Sequence, residues 1–218
     1  MPLNSGTHAV TQEAATRLYL VVGADAAPDR VAALLDAADV GALLVVPTDG
    51  AQFDAATLKP LIDAAQQRGV AAILEGDAQL VRTLRADGVH LPAGKDIVER
   101  YGEARDILGN RFIVGVDAGR TRHDAMTLGE AGADYIGFGI PAHVEDRETA
   151  RARRQELIAW WSEIFEVPCV AFDVDALDDA TALAAAGADF VALTAPADAP
   201  ASWIEAATQA LSLPEAAA

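Results

Sequence analysis

The residues of this chain best placed to do chemistry are acidic side chains that stand just past short apolar runs. Asp49, Glu75, Asp77, Asp117, Asp173 and Asp175 each follow such a run, and Asp25 follows the first of them. Clustered carboxylate oxygens suit a hard divalent cation or a cationic ligand, and two held close together can do general acid–base work. The same positions also serve as helix N-caps, as Asp77 and Asp175 would, or as solvated loop acids. Spacing leaves both readings open. His90 lies in the run Gly88-Val89-His90-Leu91 and is, with Glu75 and Asp117, a candidate catalytic group. Gly137 and Gly139 would let backbone approach a ligand closely, and Thr48 and Thr194 end two further runs. His143, in the acidic stretch His-Val-Glu-Asp, reads as a surface residue, and Cys169, inside an apolar run, as an inert buried thiol. Arg147, Arg151, Arg153 and Arg154 form the one basic run. It reads as a solvated helical face making i,i+4 pairs, with Arg147 able to reach an anionic ligand.

These residues share a kind of position because apolar runs of strand length alternate with helical patterns throughout, the signature of parallel βαβ architecture. Strands are expected at 18–22, 43–46, 70–74, 88–91, 111–116, 131–139, 169–172 and 190–194. Helices follow each of them. The helix after the fourth strand sets Ile97, Tyr101, Ala104 and Leu108 on one stripe. The longest helix is expected from about Arg147 to Phe165. A small-residue-plus-Asp join recurs at Asp39, Asp87, Asp134 and Asp189, at intervals of roughly two βα units. The fold class is therefore α/β: a single-domain (β/α)8 TIM barrel over residues 17–213, with an N-terminal arm at 1–16 and a tail at 214–218. In such barrels the loops after the strands carry the site, which selects the residues named above.

Composition narrows the partners. With 16 Lys and Arg against 33 Asp and Glu, the net charge of −17 disfavours nucleic acid and anionic membranes. No apolar run reaches the ~18 residues of a membrane span, and the first sixteen residues lack the layout of a signal peptide. One cysteine excludes an intrachain disulfide and fits a reducing, cytoplasmic compartment. A small-molecule ligand is the expected partner.

Ala86-Asp87-Gly88-Val89-His90-Leu91 and Gly132-Ala133-Asp134-Tyr135-Ile136-Gly137-Phe138-Gly139 resemble the thiamine phosphate synthase family and its thiazole tautomerase relatives. The shared register runs from Tyr19-Leu20-Val21 to Gly187-Ala188-Asp189. The resemblance implies joining of a pyrimidine diphosphate to a thiazole phosphate, with Mg2+ on the departing pyrophosphate. It also implies a homodimer, for which Trp160 and Trp161 offer an apolar anchor. It further implies Asp77 and Asp96, each with a shift of one residue, as metal carboxylates. Several positions depart from the family pattern. Its basic Gln-Leu-Arg-x-Lys aligns with Val46-Pro47-Thr48-Asp49-Gly50. Its strand-three Asn-Asp-Arg aligns with Glu75-Gly76-Asp77, and the Ser/Thr/His cluster after strand five with Asp117-Ala118-Gly119-Arg120. The Gly-Gly that cradles phosphate aligns with Asp173-Val174. Each change moves the site from anion-binding toward acidic. Three functional expectations follow: a synthase-type barrel that binds a thiamine-related heterocycle or its phosphate with its pyrophosphate ligands largely lost; a non-catalytic binding or regulatory barrel with an acidic mouth; or an active synthase whose anion site is rebuilt around Arg147.

Overall fold

Alternate side chains of each strand part in opposite directions, and here the two sets meet two different cores. The computed structural model describes residues 15–48, 53–141 and 143–212. Its elements are β1 (Arg17–Gly23), α1 (Pro28–Ala37), β2 (Val40–Val46), α2 (Ala55–Gln66), β3 (Ala71–Glu75), α3 (Ala78–Leu84), β4 (Gly88–Leu91) and α4 (Ile97–Leu108). They continue with β5 (Ile113–Asp117), α5 (Arg122–Glu130), β6 (Tyr135–Phe138), α6 (Arg147–Ile164), β7 (Cys169–Ala171), α7 (Leu177–Ala185), β8 (Phe190–Thr194) and α8 (Ala201–Leu211). The strands are all parallel and close on themselves, β1 pairing with both β2 and β8. The molecule is a (β/α)8 barrel. Leu18, Leu20, Leu43, Leu74, Val116, Ile136 and Val191 point out to the helices. Tyr19, Val21, Leu44, Ile73, Tyr135, Val170 and Phe172 fill the barrel itself. Burial of both faces explains why the strands read as continuous apolar runs.

Element existence follows the sequence closely and element ends do not. Arg111 belongs to a 3-10 turn, Gly109–Arg111, and β5 begins two residues later, at Ile113, than expected. The expected strand at 131–139 shrinks to Tyr135–Phe138, because Ala131 still caps α5 and Gly132 turns with φ 91°. The arm at 1–14 and the tail from 213 lie outside the described residues. The stripe on α4 is as expected: Ile97, Tyr101, Ala104 and Leu108 are its buried residues.

The recurring Asp has a specific use. Asp87 accepts the backbone N–H of Ala72, Asp134 that of Val114, and Asp189 that of Cys169, each at 2.8 Å. Each carboxylate, standing just before an even-numbered strand, satisfies an N–H at the start of the odd-numbered strand beside it. That explains a repeat of two βα units rather than one. Asp39, the looser copy, instead pairs with Arg17.

The aromatic anchor of α6 turns inward. Trp161 is completely buried, stacks on Phe165 with centroids 4.0 Å apart and donates Nε1–H to Val167 O. Trp160 is half-buried beneath the Arg122 guanidinium. Trp161 thus serves its own barrel, and the homodimer expectation rests on the family resemblance. Among the described residues, no helix is long and apolar enough to cross a membrane.

Candidate active-site mouth

Glu75 ends β3, Asp117 ends β5 and Asp173 follows β7, so all three stand on the C-terminal rim. They line one cavity of about 620 Å3 together with His90, Lys95, His143 and Phe172. That volume suits a single small-molecule ligand. His143, expected at the surface, is exposed yet borders this cavity.

Two of these carboxylates flank the same glycine, Gly139. A Cβ there would stand 2.5 Å from Asp117 Oδ2 and 2.7 Å from Asp173 Oδ2, so only glycine leaves room for both. Asp117 is 8% exposed, and its Oδ1 accepts the Gly119 N–H at 2.7 Å. Burial, with the Asp173 charge adding to it, pushes its carboxyl up to about 7 against the hydrogen bonds from Gly119 and Gly139. Near neutral pH this carboxyl is therefore half protonated and can both give and accept a proton. Glu75 is raised as well, by burial first and by Asp173 second, with Arg100 opposing.

Asp173 sits at φ 57°, the left-handed region, one of two non-glycine residues there among those described. A backbone shaped for glycine carries a carboxylate in its place. Its Oδ2 accepts the Ile140 N–H at 2.7 Å, so a side-chain anion already holds a backbone donor on the rim. Below this turn lies Arg154, 1% exposed. Its Nη1 donates to the carbonyls of Phe172 and Asp173 at 2.5 and 2.8 Å, and its Nη2 to Asp179 at 2.5 Å. The reading of Arg147–Arg154 as one solvated face is thus corrected. Arg154 falls on the buried stripe with Ala150, Leu157, Ile158 and Trp161, a spacing visible in the sequence. Charge does not require exposure, because paired burial also accommodates it.

The remaining candidates divide. Gly137 lies beneath the Phe172 ring, 2.9 Å from where its Cβ would be. Thr48 donates to Asp25 at 2.9 Å on the rim beside β1, and Thr194 ends β8. Asp49 lies outside the described residues. Arg147 reaches the Ile140 carbonyl at 3.3 Å and Asp175 at 3.5 Å, while Arg151 holds the same Asp175 at 2.6 Å. Asp175 therefore does not cap a helix. Cys169 is buried, its thiol pushed up to about 12 by that burial, as expected of an inert group.

Residues that sequence reasoning passed over include Tyr19 and Tyr135. Their hydroxyls bond at 2.8 Å, and Tyr135 bonds His90 Nδ1 at 3.0 Å. Strand alternation within Tyr135-Ile136-Gly137-Phe138-Gly139 was the available signal, since it sends Tyr135 to the barrel interior with the two glycines.

The two carboxylates that the resemblance implies for magnesium both stand at helix N-termini. Asp77 is spent on capping α3, accepting the Leu80 N–H at 2.8 Å. Asp96 stands at the N-cap position of α4 without bonding it. Among the described residues, no group of three His, Cys, Asp or Glu side chains that could hold a metal forms.

Fold and rim together define a (β/α)8-barrel protein with one ligand-sized, acidic mouth at the strand C-termini. The family model for thiamine monophosphate synthase matches residues 18–196. The thiamine-phosphate synthase of Rhodospirillum centenum is 37% identical over 185 residues, 81% of this chain and 86% of that one. That of Erythrobacter litoralis is 40% identical over 146 residues, 66% of this chain and 67% of the other. Among solved structures, thiamine phosphate pyrophosphorylase from Pyrococcus furiosus superposes with a TM-score of 0.69 at 20% identity, covering 89% of this chain and 95% of that one. This chain belongs to the thiamine monophosphate synthase family.

Proposed function

We propose that this barrel keeps the family scaffold but uses an acidic mouth to bind a thiamine-related heterocycle, without the ligands that a departing pyrophosphate requires. One observation carries the reading: the Asp117 and Asp173 carboxylates converge over Gly139, with Glu75 on the same rim. A carboxylate about 4 Å from a phosphate is repelled by about 1 kcal/mol in water and by several at a protein surface. A cationic or N–H-rich ring is drawn to the same place. The chain's departures at Thr48 and Asp173, where the resemblance has basic and glycine residues, point the same way.

A steady-state assay with the pyrimidine diphosphate, the thiazole phosphate and magnesium tests it. Loss of even one electrostatic contact to the leaving group typically lowers turnover about 100-fold or more. The expected rate therefore lies below ordinary detection. A turnover like that of an ordinary family member would overturn the proposal in favour of an active synthase with a rebuilt anion site. That second reading is favoured by identity extending across 86% of the Rhodospirillum centenum enzyme, and by Arg147 beside the Ile140 carbonyl. Loss of the activity in Arg147→Ala would then locate the rebuilt site.

Asp173→Gly offers a positive control on the electrostatics. It frees the Ile140 N–H, removes one carboxylate and restores the residue that φ 57° favours. Affinity for inorganic phosphate at the mouth should rise at least tenfold, read by calorimetry. Unchanged phosphate binding would mean that Asp173 is not what repels anions.

A further inference from the structure

His90 is 3% exposed and lines the mouth, stacked on Phe172 with centroids 4.4 Å apart. Its Nδ1 meets the Tyr135 hydroxyl at 3.0 Å, and that hydroxyl meets Tyr19's at 2.8 Å. No described residue bonds Nε2. With Nδ1 engaged by Tyr135 and the residue lining the mouth, Nε2 is the nitrogen left to meet a ligand. Glycine makes this contact reachable. Gly115 of β5 lies in register between His90 of β4 and Tyr135 of β6. The Tyr135 ring occupies the space where a Cβ on Gly115 would stand, and so leans across β5 to β4.

The direction of the protons follows from satisfaction. Tyr135 is the hydrogen-bond partner of the buried Tyr19 hydroxyl, and no other forms among the described residues. If His90 Nδ1 carried the proton, it would donate to Tyr135, Tyr135 to Tyr19, and the Tyr19 proton would be buried without an acceptor. A buried polar group left unpaired is the expensive outcome. In the opposite order Tyr19 donates to Tyr135, Tyr135 donates to Nδ1, and Nε2–H is left to donate into the mouth. Both buried tyrosine protons then have an acceptor. Each link also polarises the next. Burial raises both tyrosines, Tyr135 well above the usual range, so both stay protonated donors.

We propose that Tyr19 and Tyr135 are positioning residues that hold His90 as a neutral imidazole with its proton on Nε2. The mouth then presents one uncharged donor among its carboxylates, and a ligand meets it with a hydrogen-bond acceptor. His90 does not cycle a proton. This use of the donor rests on the reading that the mouth binds a ligand; the tautomer itself does not. The charged and titratable groups around the ring are Tyr19, Glu75, Asp117, Tyr135 and Asp173 from the strands and their loops, Arg100 from α4, and Lys95 and His143 at the cavity edge. Burial first, and Arg100 second, hold the ring neutral against the carboxylates.

Long-range 1H–15N spectra of the full ligand-free chain decide it, with His90→Gln identifying the resonances. The expected spectrum has Nε2 protonated and Nδ1 bare, without change from pH 8 to 5.5. A protonated Nδ1, or movement of both nitrogens toward imidazolium in that range, would overturn the proposal. In Tyr135→Phe the bare Nδ1 loses its donor and should move downfield, with a smaller shift of the same sign in Tyr19→Phe. A Tyr135→Phe spectrum unchanged at Nδ1 would also overturn it, because a merely structural tyrosine predicts that result. Should Tyr135→Phe fail to fold, the wild-type spectrum alone decides. Thiamine titration reads the ligand side: His90→Phe should weaken binding about tenfold, and His90→Gln, whose amide can donate from a similar place, much less. If wild-type chain fails to bind thiamine while His90 shows the Nε2–H form, the ligand reading falls and the tautomer assignment stands.

Discussion

Asp117→Asn should stabilise the protein at pH 7.5 by several kcal/mol and leave it nearly unchanged at pH 4. The carboxyl is ordinarily half protonated at pH 3.8, and in the folded barrel at about 7. Between those values the folded state binds more protons than the unfolded chain, so stability falls as pH rises through the window. The slope is about 1.4 kcal/mol per pH unit, and the whole window amounts to on the order of 4 kcal/mol. Asparagine keeps an oxygen for the Gly119 N–H and removes the charge that faces Asp173, at the loss of the bond from Gly139.

His90 works in the opposite sense. Its value falls from 6.5 to about 3 on folding. The unfolded chain therefore binds the extra proton between those limits, and stability rises with pH across them. In the wild type the two slopes oppose one another from about pH 4 to 6.5. Asp117→Asn exposes the rising histidine slope, and His90→Gln the falling aspartate one. Urea-unfolding midpoints measured from pH 4 to 8 read both. If wild type and Asp117→Asn gave parallel profiles, Asp117 would not be the group held protonated.

Arg154→Ala should cost about 3–5 kcal/mol, the usual price of removing one partner of a buried charged pair. It would leave Asp179, 2.5 Å from the guanidinium, without its counterion, and would strand the carbonyls of Phe172 and Asp173. The turn they belong to carries the Asp173 carboxylate in a left-handed conformation that needs outside support. Arg154→Lys should recover only part of the loss, since an ammonium on a flexible stem lacks the fixed fork that spans both carbonyls and the carboxylate. Unfolding by urea at pH 7 decides it. A loss below about 1 kcal/mol would mean that the guanidinium merely fills space.

Whatever depends on period and local bonding was already present in the sequence. Apolar runs of strand length alternating with helical stripes dictate eight βα units, and their C-terminal ends place Glu75, Asp117 and Asp173 on one rim. The stripe on α4 and the rim positions followed from periods of 3.6 and 2.0, which chain geometry alone imposes. Distances between strands are another matter. Nothing local says that Asp117 and Asp173 share the space over Gly139, or that Tyr135 crosses a glycine on β5 to reach His90. Those contacts join residues 56 and 45 positions apart and arise only when the barrel closes. The burial of Arg154 was legible in the α6 stripe, four residues after Ala150 and three before Leu157; closure supplied its partner, Asp179. The sequence determined which residues would stand at the mouth. Only the tertiary structure decided which of them would meet, because contact is a matter of a few ångströms between groups that the chain itself keeps far apart.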